Sequence, residues 1–241
     1  MAGSDAGREA AGPSGLSGSS GSSGFEREIT VGDGELRLSG RLAVPSGARG
    51  MVVFAHGSGS GRRSPRNRYV ASALNRDGLG TLLTDLLSTE EEKNRGNVFD
   101  VRMLARRLTA VTRWLRSSPA ARGLPVGYFG ASTGAAAALW AAAAEPRVPI
   151  AAIVSRGGRP DLAGPQLASV RAPTLLIVRG DDDVVLDLNR QAGKQLGCEN
   201  ELVVIPGATH LFAEPGALEQ VADLAGTWFS RHFAQVPGVP S

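Results

Sequence analysis

Short apolar runs rich in β-branched residues alternate with longer segments of helical periodicity through most of this chain. The first such run, GMVVFA at residues 50–55, is continuous and apolar, as expected for a strand covered on both faces. Similar runs follow as GTLLTD, PVGYFG, VPIAAIVS, PTLLIVRG and ELVVIPG. The helical segments between them are PRNRYVASALNRDG, DVRMLARRLTAVTRWLRSS, the alanine-rich stretch after Ser132, VVLDLNRQAGKQL and ALEQVADLAGTWFSRHF. Strands that alternate with helices need crossover connections, so the sequence predicts an α/β fold with a mainly parallel sheet and helices on both faces.

The N-terminal region divides into two parts. Residues 1–24 consist largely of Gly, Ser and Ala and contain almost nothing large enough to bury, which predicts a flexible tail or linker. From Phe25 the pattern FEREITV, a turn at residues 32–34 and ELRLSGRLAVP predict two antiparallel strands at one edge of the sheet. The total is then about eight strands, in one domain over residues 25–241.

Length and charge limit the classes of function. A chain of 241 residues with 42% hydrophobic content can bury one sizeable core. A net charge of +3 without a concentrated basic run gives no reason to expect a nucleic-acid partner. The single cysteine, Cys198, excludes an internal disulfide and a Cys-based zinc site and fits a reducing compartment. We therefore expect a cytoplasmic protein without metal or cofactor, and the sequence has no segment long enough to cross a membrane.

The strand PVGYFG runs into Gly130-Ala131-Ser132-Thr133-Gly134, which is G-x-S-x-G followed by an alanine-rich helix. In this motif the serine occupies a sharp turn between strand and helix, where larger flanking residues would collide with neighbouring backbone. The pentapeptide alone is weak in a glycine-rich chain, but the strand before it and the helix after it support it. Ser132 is therefore a candidate nucleophile.

A serine nucleophile needs a base and a carboxylate that orients the base. His210, in the loop after ELVVIPG, is the candidate base. The candidate acids are Asp181, Asp182 and Asp183, directly after PTLLIVRG. Ligands bind at the carboxyl ends of parallel strands, where all of these residues lie, and the order Ser, Asp, His is that of α/β-hydrolases. The residues themselves do not decide among the three acids.

An oxyanion hole requires two backbone N–H groups directed at the developing charge. We expect one from Thr133, next to Ser132, and the other from Ser58 in the small-residue loop that follows GMVVFA. His56, at the start of that loop, is interpreted as a support for the loop rather than as a proton-transfer group.

Five segments together resemble the dienelactone-hydrolase-like branch of the α/β-hydrolase superfamily: VVFAHGSGSGRRSPRNR, GYFGASTGAAAAL, VSRGGRPDLAG, PTLLIVRGDDDVV and IPGATHLFAEPGAL. The resemblance implies an α/β-hydrolase fold and a G-x-D-x-x-V pattern that maps onto Gly180, Asp182 and Val185, which favours Asp182 as the orienting acid. Dienelactone hydrolases proper use a cysteine nucleophile where this chain has Ser132. The resemblance therefore implies a general esterase acting on small esters, without identifying the substrate or distinguishing esters from thioesters and amides.

Arginines follow two of the predicted strands. Arg62, Arg63, Arg66 and Arg68 follow the strand GMVVFA, and Arg156 and Arg159 follow VPIAAIVS. A guanidinium matches carboxylate and phosphate bidentately, so Arg62 and Arg156 are candidate contacts for an anionic substrate. The alternative, that an arginine-rich chain places these residues on exposed loops, stays open.

Three further features have simple interpretations. The run of residues 90–92 with Lys93 and Arg95 is interpreted as a solvated loop, and His232 as a surface or helix-end residue. Residues 156–173 leave room for little more than one short helix, so no large cap domain is expected and the site should be open to small substrates.

Two other functions compete with hydrolysis. A strand, the GSGSG loop, a helix and Asp85 superficially imitate a dinucleotide-binding unit, but the third glycine of G-x-G-x-x-G would fall at Arg62. A binding or regulatory protein that kept the hydrolase fold without catalysis is the other alternative, since fold does not determine function. The oligomeric state is not readable from the sequence.

Overall fold

The structure is a computed structural model and describes residues 24–33, 36–57 and 61–236. The strands are β1 (Phe25–Asp33), β2 (Leu36–Val44), β3 (Met51–Ala55), β4 (Gly80–Thr84), β5 (Val126–Ala131), β6 (Ala152–Arg156), β7 (Thr174–Arg179) and β8 (Asn200–Ile205). The helices are α1 (Pro65–Arg76), α2 (Thr89–Glu92), α3 (Arg95–Phe99), α4 (Val101–Ser117), α5 (Thr133–Ala144), α6 (Asp183–Gln195) and α7 (Ala217–Phe233). Residues 1–23 of the predicted tail lie outside the described residues.

The strands form one sheet of eight in the order β1-β2-β4-β3-β5-β6-β7-β8. The β1–β2 hairpin is antiparallel and lies at one edge, and β2 pairs antiparallel with β4. All other neighbouring strands are parallel. The predicted mainly parallel sheet with an antiparallel edge hairpin is therefore confirmed.

Alternate residues of the central strands face two separate apolar layers. In β3, Met51 and Val53 belong to one buried cluster, whereas Val52 and Phe54 belong to the other. A strand covered on both faces can be apolar throughout, which explains the uninterrupted run GMVVFA.

Helices cover both faces, as predicted. Helices α1 and α7 pack on one face, and α4, α5 and α6 lie on the other. Helix α5 packs against β5 and against α4, and Ala135, Ala136, Ala137 and Ala138 are fully buried in it. Small side chains let this helix approach the sheet closely, which fixes the residue at its N-terminus relative to the strand ends.

The acidic run at residues 90–92 was predicted to be a loop, and this was wrong. Ser88 accepts a hydrogen bond from the Glu91 N–H, and the Glu91 carboxylate accepts one from the Ser88 N–H, which forms a capping box at the start of α2. Glu91 also accepts hydrogen bonds from Arg107, and this contact holds the pKa of the Glu91 carboxyl at about 2. The S-x-x-E pattern was the sequence signal for this helix.

Of the two interpretations of His232, a surface or a helix-end residue, the structure confirms the second and contradicts the first. Its side chain lies in the last turn of α7, is 2% exposed and packs edge-on against Trp228 with ring centroids 4.5 Å apart. A histidine late in a helix is ambiguous, because only the neighbouring elements decide which face is covered.

The connection between β6 and β7 carries only the 3-10 segment Pro160–Ser169, interrupted at Gly164. Within the described residues no separate cap domain covers the carboxyl ends of the strands. None of the helices in the described part is both long and apolar enough to span a membrane.

Candidate functional site

Ser132 lies in the sharp turn between β5 and α5. Its backbone has φ 53° and ψ −126°, a conformation that non-glycine residues rarely adopt and that costs roughly 1–3 kcal/mol. The Ser132 carbonyl accepts hydrogen bonds from the Ala135 N–H and the Arg159 N–H, both at 3.1 Å. The surrounding structure therefore maintains a strained serine at the carboxyl end of a central strand.

The glycines around Ser132 are required by close approach. A Cβ on Gly130 would lie 2.5 Å from the Ala135 Cα, and a Cβ on Gly134 would overlap the Ala55 carbonyl. A Cβ on Gly57 would lie 2.6 Å from the Ser132 Cβ and 3.2 Å from its Oγ. The loop after β3 thus passes directly against the candidate nucleophile.

The structure describes one of the two predicted oxyanion donors, Thr133. Thr133 is buried and begins α5, so its N–H belongs to the first turn, where helices leave N–H groups without an internal partner. Ser58 lies outside the described residues, and its assignment stays a prediction. Gly57, its neighbour, lies beside Ser132, so the predicted loop starts at the expected place.

Asp85, at the end of β4, holds the two ends of that loop. Its Oδ1 accepts a hydrogen bond of 2.6 Å from the Arg62 N–H, and its Oδ2 pairs with the Arg62 guanidinium. The His56 Nε2 lies 3.5 Å from Asp85 Oδ1 on the other side. Burial raises the pKa of the Asp85 carboxyl, but the neighbouring His56 imidazole and the hydrogen bonds from Arg62 outweigh burial and lower it to about 2. His56 therefore lies where a support for the loop would be.

Arg62, predicted to contact substrate, is engaged by acids of the protein. Besides Asp85, its Nε lies 3.3 Å from Glu28 on β1, and the Arg62 side chain is only 19% exposed. The guanidinium therefore already has carboxylate partners, which leaves it little capacity for a substrate anion.

On the opposite side of Ser132, Arg179 lies between the predicted acid and the predicted base. The Arg179 Nη2 donates to Asp182 Oδ2, and Nη1 lies 2.5 Å from the His210 Nδ1. Asp182 also caps α6, because its Oδ1 accepts a hydrogen bond of 2.9 Å from the Val185 N–H. Asp182 and His210 thus share one guanidinium, and within the described residues no hydrogen bond joins them directly.

This arrangement determines the protonation of the imidazole. A guanidinium only donates, so the His210 Nδ1 accepts and a neutral ring carries its proton on Nε2. Burial, followed by the positive charges of Arg179, Arg156 and Arg66, lowers the pKa of His210. A base for Ser132 needs the other tautomer, with Nδ1–H bonded to a carboxylate. No hydrogen bond joins Ser132 to His210 in the described part of the chain.

The loop that carries His210 is held by Phe212. This side chain is 1% exposed, and its backbone has φ 53°, unusual for an aromatic residue. A Cβ on Gly157 would lie 3.0 Å from the Phe212 ring and 4.0 Å from the His210 carbonyl, so the loop passes close to the end of β6. Sequence analysis did not identify Phe212, and a single aromatic residue in a loop carries no signal of this role.

Arg156, the second predicted substrate contact, ends β6. It pairs in register with Ala131, the residue before Ser132, and is 7% exposed. Its Cζ lies 5.8 Å from the centre of the Phe212 ring. The Nε and Nη1 of Arg156 are buried, with no hydrogen-bond partner among the described residues.

Sequence analysis did not identify Arg179 as a site residue, and it named Arg66 only within the group of arginines that follow β3. The Arg66 Nε, on α1, is also buried without a hydrogen-bond partner among the described residues. Burial and the charge of Arg66 together lower the pKa of Arg156 to about 10. The position of Arg179 at the last residue of a strand was a signal that could have been used, since strand ends form the site in sheets of this kind.

A small cavity lies against the start of the oxyanion loop and the start of α5. Its volume is about 10 Å³, and it is lined by apolar Leu86, Leu87, Val98 and Leu104 together with His56, Gly57, Glu92 and Thr133. A larger cavity of about 590 Å³ lies elsewhere, between the β1–β2 hairpin and α1. In the described part of the chain, no cluster of three His, Cys, Asp or Glu side chains is arranged to hold a metal ion.

Solved structures and curated proteins were compared with this chain. No family model matches the chain. A dienelactone hydrolase from Anabaena variabilis shares 54% sequence identity with a TM-score of 0.83, and the match covers 87% of this chain and 98% of that one.

More distant solved structures share the fold alone. Est1E from Butyrivibrio proteoclasticus has a TM-score of 0.71 at 16% identity over 86% of this chain and 99% of its own. A serine hydrolase homologue from Coxiella burnetii has a TM-score of 0.69 at 20% identity over 83% and 96% of the two chains.

Two curated proteins from strains of Mycobacterium tuberculosis, provisionally named phosphoribosyl transferases, are each 60% identical over 207 residues. That match covers 86% of this chain but 46% of theirs, so the chain spans about half the length of these relatives.

Proposed function

Because the chain belongs to the dienelactone-hydrolase-like branch of the α/β-hydrolase superfamily, we propose that it is a serine hydrolase that cleaves small carboxylic esters through an acyl-enzyme intermediate. The observation that carries this proposal is the strained backbone of Ser132 between β5 and α5. A hydroxyl in this turn projects from the sheet towards the space where ligands bind in α/β proteins. Strain of this kind persists where function uses it.

In the proposed reaction, Ser132 Oγ attacks the ester carbonyl carbon while His210 Nε2 takes the hydroxyl proton. The carbonyl oxygen becomes an oxyanion that accepts hydrogen bonds from the Thr133 and Ser58 N–H groups. When the C–O bond breaks, the imidazolium returns the proton to the leaving alkoxide, which departs as the alcohol. Water then attacks the acyl-serine by the same route and releases the acid.

Asp182 is the proposed orienting acid. Its carboxylate and the His210 imidazole already meet at the two nitrogens of one guanidinium, that of Arg179. For catalysis Arg179 must withdraw from Nδ1, so that Nδ1–H can donate to Asp182 and Nε2 becomes the acceptor. Asp183, the alternative acid, is the first residue of α6 and has no comparable contact with His210 in the described structure.

The proposed substrates have short acyl groups. The cavity beside Gly57 and Thr133 holds about 10 Å³, room for roughly one water molecule or a methyl group. Because its walls are largely apolar, it favours an acyl chain over a polar group. We expect acetyl esters to be cleaved with a higher kcat/KM than octanoyl esters.

Labelling with a fluorophosphonate tests the nucleophile. We expect stoichiometric labelling of the protein and none of Ser132→Ala, with turnover reduced on the order of 10⁴-fold or more. Ser72→Ala, which removes an exposed hydroxyl on α1, is the matched control and should label normally. Labelling that survives in folded Ser132→Ala would contradict the proposal.

The same experiment separates the competing non-catalytic role. A binding protein on this fold would remain unlabelled although it is folded. Phosphoribosyl transfer, the activity in the name of the mycobacterial relatives, is not proposed for this chain, because the match covers 46% of those proteins.

A further inference from the structure

Two neighbouring cavities lie on the β4 side of Ser132. The small one, of about 10 Å³, lies against Gly57 and Thr133. The larger one, of about 430 Å³, lies between the start of β2, the end of β4 and α2. Leu87 and Glu92 are the two residues that line both cavities. These two side chains therefore form a boundary between the space beside the candidate nucleophile and the larger space.

The two boundary residues differ in chemistry. Leu87 is 6% exposed and belongs to a buried apolar cluster, so it closes the small cavity sterically. Glu92, the last residue of α2, is half-buried, and its carboxylate has no partner among the described residues, whereas the adjacent Glu91 pairs with Arg107. An acyl chain that extended past Leu87 would displace water from the Glu92 carboxylate, which is unfavourable because an alkyl group offers no hydrogen bond in return.

The boundary is held in place by α4. Arg107 on this helix donates hydrogen bonds to the Glu91 carboxylate and, at 2.8 Å, to the Leu86 carbonyl. Leu87 directly follows Leu86, and Glu92 directly follows Glu91, so each boundary residue is adjacent to a residue that Arg107 anchors. The capping box fixes the first turn of α2 as well. The protein itself therefore determines where the boundary lies, before any ligand binds.

We propose that Leu87 and Glu92 determine the length of the acyl chain that the site accepts. This inference rests on the proposed function, in which the Thr133 N–H binds the carbonyl oxygen of the ester. Because Thr133 also lines the small cavity, an acyl chain on that carbonyl has this cavity beside it. An acetyl group fits a cavity of this size, whereas a chain several carbons longer must pass the boundary. The ligand class selected by the two residues is therefore a short, neutral acyl group.

The steric part of the boundary is tested with Leu87→Ala, which joins the two cavities. The measurement is kcat/KM for the 4-nitrophenyl esters of acetate, butyrate, hexanoate and octanoate. We expect the octanoate-to-acetate ratio to rise by roughly 10-fold or more, since each CH₂ group that becomes buried is worth roughly a factor of four. Leu38→Ala is the matched control, because Leu38 is 3% exposed and lines the larger cavity alone. This control should keep the ratio of the parent protein.

The charged part of the boundary is tested with two substitutions of Glu92. Glu92→Gln keeps the size of the side chain and removes its charge, and it should raise the octanoate-to-acetate ratio by roughly 5-fold. Glu92→Leu also removes the polar group and should raise the ratio further. Glu90→Gln is the matched control, since Glu90 lies on the same helix, is exposed and lines neither cavity.

The ratio of two esters protects the test against a destabilised variant. Leu87→Ala removes buried atoms and is expected to lower the free energy of unfolding. Both esters are measured on one preparation, so the fraction of folded protein cancels in the ratio. Leu87→Met, a side chain of similar volume, provides a second check, because it should keep the boundary and with it the ratio of the parent protein.

The outcomes distinguish this inference from the proposed function. Active parent protein with the same kcat/KM from acetate to octanoate would overturn the boundary and leave Ser132 as the nucleophile. An unchanged ratio in both Leu87→Ala and Glu92→Leu would also overturn it, as would an equal rise in Leu38→Ala. Protein that hydrolyses none of the esters would contradict the proposed function and, with it, the role of the cavity as an acyl site.

Discussion

Two groups of charged residues flank Ser132, and they differ in how their charges are balanced. On the side of β3 and β4, Arg62 is paired with Asp85 and Glu28, and Asp85 also contacts His56. On the side of β6 and β7 the pairing of charges is incomplete. Arg156 on β6 has no acidic partner among the described residues, nor has Arg66 on α1, whose charge acts on Arg156. Arg179 shares Asp182 with His210.

This difference distinguishes arginines with a structural role from candidate ligand contacts, because the first kind has protein partners for its N–H donors and the second kind does not. Arg62 and Arg66 are four residues apart and belong to the same arginine-rich segment of sequence. The first holds a loop by engaging the protein's own carboxylates, whereas the second retains unsatisfied donors. An unsatisfied buried donor in a strand-end site is the stronger indication of a ligand, because the protein alone gives no compensation for burying it.

We expect the largest effect where the loop after β3, which Asp85 and Arg62 hold, contacts Ser132. In Gly57→Ala the new Cβ would lie 2.6 Å from the Ser132 Cβ, so the loop or the serine must shift. Displacement of a reacting group by about 1 Å can cost on the order of 100-fold in rate. We expect a loss of that size in kcat for ester hydrolysis.

Gly193→Ala on α6 is the control for Gly57→Ala, since its Cβ would meet only the ends of the Asn200 and Leu176 side chains. Unchanged kcat in Gly57→Ala would mean that the loop does not constrain the nucleophile.

The next largest effect is expected when Asp85 loses its charge, because Arg62 then loses a carboxylate partner. The pKa of Asp85 falls from an ordinary value of 3.8 to about 2 in the folded protein. Since one pKa unit corresponds to roughly 1.4 kcal/mol, the ionised Asp85 stabilises the fold by about 2 kcal/mol. We expect Asp85→Asn to lose about this much free energy of unfolding in urea at neutral pH.

The sign of the pH dependence follows from the lowered pKa. The stabilisation by Asp85 is complete above its unfolded pKa and disappears as the pH falls from about 4 to about 2. Asp85→Asn should lack this acid-dependent loss. Asp187→Asn, which breaks an exposed pair with Arg190, is the control and should change stability by less than about 1 kcal/mol.

The arginines whose charges act on His210 should determine the pH profile of hydrolysis. His210 must be neutral to act as a base, and burial with the charges of Arg179, Arg156 and Arg66 lowers its pKa. The acidic limb of kcat/KM should therefore lie below the ordinary histidine value of about 6.5. Arg66→Gln should move this limb to higher pH on a neutral ester, and Arg102→Gln, an exposed charge-matched control on α4, should leave it in place. A limb that does not move would mean that the Arg66 charge does not reach the base.

The smallest expected effect lies outside both groups, at His232. Burial lowers the pKa of His232 and outweighs Glu199, whose Oε1 lies 4.0 Å from Nε2. His232 therefore binds a proton more readily in the unfolded chain than in the folded protein. The free energy of unfolding has its full value from this group above about pH 6.5 and decreases as the pH falls below that value. His232→Gln should show a smaller slope of unfolding free energy between about pH 7 and about pH 5. An equal slope would contradict this assignment.

Much of the fold was predictable because its signals are local. The run GMVVFA and the alternation in the N-terminal hairpin each report which faces of a strand are covered, and the structure confirms both. The capping box at Ser88 was an equally local signal that the sequence interpretation did not use. His232 could not be interpreted in this way, since its burial depends on how α7 packs against the rest of the protein.

The sequence by itself determined the strand and helix order, the turn at Ser132 and the strand ends at which the candidate site residues lie. These features depend on residue spacing and on the small side chains that a sharp turn requires, both of which can be read along the chain. Only the tertiary structure decided which charges are balanced, that Arg62 faces acids, that Arg156 and Arg66 do not, and that Arg179 lies between Asp182 and His210. The physical reason is that Coulomb interactions and hydrogen bonds act over a few ångströms in space, and residues far apart in sequence meet at that range only after folding.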